Sequence, residues 1–153
     1  MARKLDRFAR YHEACHAVMA HNLGMSIDWI KMDYIEDDLM VCAVSYVAAS
    51  SPYADTMDKY RSLKLLVAMA GQYAVTMVEG KPLRDVHYKR FGAREDLVAI
   101  RRYGGPRWRS WIPDITEFMS RYHKQVTVLA EYLMTHNYVS GGEVQQILDA
   151  VEE

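Results

Sequence analysis

The stretch Tyr11-His12-Glu13-Ala14-Cys15-His16 carries two histidines four residues apart, with a glutamate directly after the first: the pattern H-E-x-x-H. On a helix, successive residues are about 100° apart, so His16 lies about 40° around the axis from His12 and one turn further along. Two imidazoles on one face can hold one zinc ion, at about 2.0–2.1 Å per bond. Glu13 falls about 60° beyond His16, beside such an ion rather than beneath it. A carboxylate there suits a general base acting on water, and zinc lowers the pKa of a water it holds to about 7. The chemistry predicted is attack of water on a polarised carbonyl, which is peptide hydrolysis. Three fixed residues are a short pattern, so its placement matters. Leu5, Phe8, His12, Cys15/His16, Met19 and Leu23 recur at intervals of three and four. Both histidines thus fall on an apolar stripe, where an unsatisfied ring is costly and a shared metal satisfies both.

The elements that must position this pair read as mainly α, with a small β-hairpin near the site helix. The spacing predicts a first helix from about Lys4 to Leu23, capped by Gly24. Two short strands follow, one through Ile27, Trp29 and Lys31-Met32 into Tyr34, the other through Leu39, Val41, Ala43 and Val47. Glu36-Asp37-Asp38 between them reads as a solvated turn. A strand edge beside the site helix is of the kind that pairs with an extended peptide. Ala49 to Asp55 is a loop. A second helix is expected from Thr56 to Val78, stopped by Gly80 and Pro82. Its stripe is Leu63, Leu66/Val67, Ala70, Tyr73/Ala74 and Met77, and Ala68, Ala70, Gly71 and Ala74 allow another helix close. It reads as a core helix, not a site in itself. A third helix opens at Gly92 and ends near Tyr103, broken by Gly104-Gly105-Pro106. Asp114-x-x-Glu117 reads as a capping box opening a long fourth helix to about His136. Its stripe is Ile115, Phe118/Met119, Tyr122, Val126, Leu129/Ala130 and Leu133. Ser140-x-x-Glu143 reads as a second box, opening a final helix that buries Val144, Ile147 and Leu148.

A chain of 153 residues is expected to form one domain with a full core. A net charge of −1 gives no overall signal for a polyanion partner. The ten Met and eleven Tyr read as core filler rather than a cofactor box. Cys15 and Cys42 have no C-x-x-C spacing and no disulfide framework, which favours a reducing compartment. The N-terminus is charged at Arg3, Lys4, Asp6 and Arg7, unlike a signal peptide, and the longest apolar run, Leu65 to Ala70, is too short to span a bilayer. A soluble, cytoplasmic protein is expected. Lys81 to Arg109 is locally basic, with nine Lys/Arg against three acids and with Phe91, Trp108 and Trp111 close by. Such a mixture can bind single-stranded nucleic acid, but no nucleic-acid motif accompanies it, and it reads as a solvated or partner-facing surface.

A catalytic zinc site takes three protein ligands and keeps one position open. The metzincin continuation H-x-x-G-x-x-H is absent, since Met19 and Asn22 stand at its Gly and His positions. His21 points about 140° away from His16. His87, His123, His136 and the carboxylates remain, and spacing does not choose among them.

Four segments, in order, carry a resemblance that does choose. His12-Glu13-Ala14-Cys15-His16-Ala17-Val18 resembles the H-E-A-G-H-A box of the FtsH-type peptidases, the proteolytic half of membrane-linked AAA proteases. Leu66 to Ala74 resembles that family's LAGRAAE helix, and Gly92-Ala93-Arg94-Glu95-Asp96-Leu97 its GA-x-x-D-L/I segment. Leu133 to Asn137, Gly142-Glu143-Val144 and Ile147-Leu148 resemble its closing helices. The resemblance implies a zincin-type helical peptidase domain, with Asp96 as third ligand beside His12 and His16, Glu13 as base, and flexible polypeptides as substrates. It also implies a hexameric ring as the family's assembly. Cys15 stands where the family has Gly, and Gln72 where it has Arg. No G-x-x-x-x-G-K-[ST] phosphate loop is present, so an ATPase partner would be a separate chain. The alternative is a non-catalytic adaptor of the same fold in which zinc is a staple, closed by a fourth donor such as Cys15. Metal analysis of the purified chain is expected to find about one zinc per chain; a zinc-free, folded protein would remove the predicted chemistry.

Overall fold

Helix α1 (Ala2–Asn22) runs through the middle of the molecule, packed against two other helices, a broken third and the sheet. The computed structural model describes residues 2–36, 39–89 and 93–151. After α1 come β1 (Ser26–Glu36) and β2 (Leu39–Val47), then α2 (Met57–Ala70), a 3₁₀ turn (Gly71–Tyr73) and α3 (Ala74–Glu79). The rest is α4 (Ala93–Gly104), a 3₁₀ stretch (Gly105–Trp111), α5 (Ile112–Arg121), α6 (His123–Leu133), β3 (Tyr138–Ser140) and α7 (Gly141–Asp149). The architecture is mainly helical with one small antiparallel sheet, in the order β2-β1-β3. Among the described residues, no helix is long and apolar enough to cross a membrane.

The stripe read on the first helix is buried from Phe8 to Leu23, and burial goes further: every residue from Phe8 to Ala20 lies inside. A helix enclosed on all sides must satisfy its polar side chains internally. Arg10 does so by donating to the carbonyl of Leu133 and to Oδ1 of Asn137. Gly24, at φ 77°, ends the helix as expected. The amides of Gly24 and Met25 donate back to the carbonyls of His21 and Ala20, each at 3.0 Å, the paired bonds of a Schellman cap. Met19, Met32, Met69 and Met119 are fully enclosed, in keeping with methionine as core filler.

Several sequence expectations are corrected. The second helix is not continuous from Thr56 to Val78: Thr56 caps it by accepting from the Lys59 amide, but it breaks into a 3₁₀ turn at Gly71. The fourth is two helices, separated at Tyr122. The Asp114 box does not form. Pro113, which lacks an amide hydrogen, sits in the first turn of a helix that already starts at Ile112. The final box does form, with Ser140 and Glu143 bonded reciprocally, and Val144 and Leu148 are buried while Ile147 is half-buried. Strand β3 went unread because its three residues directly precede that box. In β1, Ile30 and Met32 are buried, Trp29 is half-buried and Lys31 is exposed. An irregularity between Ile27 and Trp29 changes the parity of the strand, and a one-residue slip exchanges its faces. Asp37 and Asp38 of the acidic turn, and Arg90, Phe91 and Gly92, lie outside the described residues. Trp108 of the basic stretch is buried, edge-on to Tyr88, and so is not a stacking surface for bases.

The start of α7 abuts β1. A Cβ on Gly141 would stand 1.7 Å from the carbonyl oxygen of Ile27, whereas one on Gly142 would meet nothing within 4 Å. Gly141→Ala is expected to cost about 1–3 kcal/mol in urea unfolding, and Gly142→Ala to be neutral or stabilising by up to about 1 kcal/mol. Equal unfolding midpoints for the two variants would contradict the packing of α7 on β1.

Candidate metal centre

Helix α1 presents His12, Glu13 and His16 to one cleft, and the first turn of α4 presents Asp96 to the same place. The Nε2 atoms of His12 and His16 are 3.1 Å apart. Oδ2 of Asp96 lies 2.8 Å from the first and 3.1 Å from the second. The Asp96 side chain is 20% exposed and those of His12 and His16 are 4% and 9% exposed, so the triangle is almost sheltered from water. Tetrahedral zinc spaces neighbouring donors about 3.3 Å apart, close to this triangle. The three form a group that can hold a metal ion, and among the described residues no fourth His, Cys, Asp or Glu joins it.

The surroundings fix the rings. His16 donates from Nδ1 to the carbonyl of Val67 at 2.6 Å, leaving Nε2 to face His12 and Asp96. Behind the pair, Gly71 touches both rings: a Cβ there would stand 2.5 Å from Nε2 of His16 and from Cε1 of His12. The amide of Gln72 lies 3.5 Å from Nδ1 of His12. Tyr88 donates to the carbonyl of Met69 at 2.9 Å, tying the loop before α4 to α2. The second helix, read as core alone, is therefore the back wall of the site. The available sign was the Ala70-Gly71 pair inside an apolar helix, where a missing side chain marks close approach.

Charge follows the same geometry. Burial works against a charged His16, but the carboxylate of Asp96 outweighs it by charge and hydrogen bond, with Glu13 and Val67 adding, and the pKa rises to about 9. Burial works to raise that of Asp96, and the two imidazoles overcome it, holding the carboxyl far below its usual range. Glu13 is raised by burial, against the pull of His16 and His12. Cys15 is fully buried, its thiol pushed up by burial and by the charge of Glu13; it takes no part in the donor group.

The other histidines lie elsewhere. His21 pairs with Asp149 at 3.1 Å, His87 accepts from the Arg84 amide, and His136 stacks on Tyr132. His123 lines a separate groove between α6 and α7. In front of the triangle is a cleft of about 360 Å³. Phe8, Arg94 and Glu95 stand around it, and Cys42, Ala43, Val44 and Tyr46 of β2 form the facing wall. No protein-family model matches the chain, and no curated protein matches it.

Gly71→Ala is expected to wedge the rings apart and weaken zinc binding by roughly 10–100-fold, the range for disturbing a ligand's support. Competition against a chelating dye measures this; wild-type affinity in Gly71→Ala would mean that the rings do not meet this backbone.

Proposed function

We propose that this chain is a zinc metallopeptidase module of the FtsH type, with His12, His16 and Asp96 as ligands and Glu13 as general base. The observation that carries the reading is the convergence of three donors on one point, with a carboxylate beside them on an open cleft and no fourth protein donor among the described residues. A structural zinc is closed by four protein ligands, whereas a catalytic one keeps a position open. The adaptor reading, with Cys15 as fourth donor, loses its support on that ground.

Zinc held there would supply Lewis acidity and make water a nucleophile near neutral pH. The remaining work belongs to the chain. Glu13 takes a proton from the water that adds to the scissile carbonyl carbon. It hands that proton to the departing amine nitrogen as the C–N bond breaks. Its raised pKa suits both halves of this task, because a base nearer neutrality also returns the proton readily. Asp96, held ionised, offers negative charge without competing for that proton.

The substrate is proposed to be an unfolded or flexible polypeptide. Strand β2 is the outer strand of the sheet and lines the cleft, so an extended segment can pair with its free edge and lie across the triangle. A zincin-type fold, a hexameric ring and an AAA ATPase partner complete the proposal and rest on the resemblance of the four sequence segments; a cytoplasmic location is proposed from the cysteine usage. Glu13→Gln is expected to retain zinc while losing roughly 10²–10⁴-fold in casein hydrolysis. Equal cleavage by both proteins, with zinc in both, would overturn the role of Glu13.

A further inference from the structure

Gln72 is fully buried, directly behind the metal centre. One end of its amide, Nε2, lies 3.5 Å from Nδ1 of His12, at the outer limit of a hydrogen bond. The other end, Oε1, is buried and finds no hydrogen-bond partner among the described residues. An orphaned buried oxygen is costly and calls for an explanation. The 3₁₀ turn of Gly71–Tyr73 creates the arrangement, since it brings Gly71 against both rings and Gln72 against one.

The two histidines are supported differently. His16 has a fixed acceptor for its Nδ1 proton, the Val67 carbonyl. His12 has only Gln72 at that atom. With its NH₂ toward Nδ1, Gln72 suits a His12 ring whose Nδ1 is a bare acceptor. Binding a metal through Nε2 reverses this: the proton must sit on Nδ1, and a ligating histidine needs an acceptor there. A primary amide can meet both demands, donating through its NH₂ in the first case and accepting through its oxygen after a half-turn in the second.

Resting on the metal reading above, we infer that Gln72 is the positioning residue of His12, its amide turning over as the site loads so that the idle Oε1 becomes the acceptor for the Nδ1 proton. Methionine matches the length of glutamine and serves neither state. Glutamate serves the loaded state alone, as an acceptor.

The test compares the zinc affinity of full-length wild type, Gln72→Met and Gln72→Glu by competition with a chelating dye, with melting temperatures in EDTA alongside. Gln72→Met is expected to bind zinc about 10–100-fold more weakly, with a melting temperature in EDTA no lower than wild type because the unpaired oxygen is gone. Gln72→Glu is expected to bind at least as tightly as wild type. Should Gln72→Met melt lower, the ratio between the two variants decides: tenfold or more in favour of glutamate supports the role. Equal affinities of Gln72→Met and wild type, or equal losses in both variants, overturn it. A wild-type chain that binds no zinc would instead refute the metal centre itself.

Discussion

Three electron-pair donors within about 3 Å of one another and nearly out of reach of water cannot stay together uncompensated. Bringing two ring nitrogens and a carboxylate oxygen to one point requires positive charge between them, from a proton or a metal ion. The contact between His16 and Asp96 drives the pKa of the first up and that of the second down. A cation that displaces the proton keeps the same three atoms and frees none of them to water.

Holding that corner decides much of the surrounding backbone. Helix α1 carries the two imidazoles inward with every residue from Phe8 to Ala20 buried, so the rings have little solvent to turn toward outside the cleft. The second helix must come close enough for the Val67 carbonyl to meet one ring and for Gly71 to touch both. A regular α-helix passing that near would drive a side chain into the pair; glycine removes the side chain, and the 3₁₀ turn tightens the local path. Asp96 then needs no unusual backbone, because the first turn of α4 suits a carboxylate through the helix dipole.

What could be read beforehand was what chain-local chemistry decides. The stripe from Phe8 to Leu23, the Gly24 cap and the Ser140–Glu143 box all depend on neighbours within a turn or two, and the structure repeats them. The breaks at Gly71 and Tyr122 are crossed by uninterrupted apolar patterns, which give no sign of them. The parity of β1 turns on a single irregularity after Ile27. Asp96 lies 80 residues from His16, a separation that no periodicity spans; the segment resemblance singled it out. Gln72 is marked in the sequence by its place next to Gly71 and by standing where the resembled family has Arg.

The sheet carries a consequence for how the molecule is made. Strands β1 and β2 are neighbours in the chain and can zip together early, but residues 29–31 must wait for residues 138–140 before their second side is covered. Pairing across so long a stretch is entropically slow. Until residues 137–140 emerge, then, Ile30 and Met32 lack a neighbour that the folded molecule provides, and the nascent hairpin keeps one open flank.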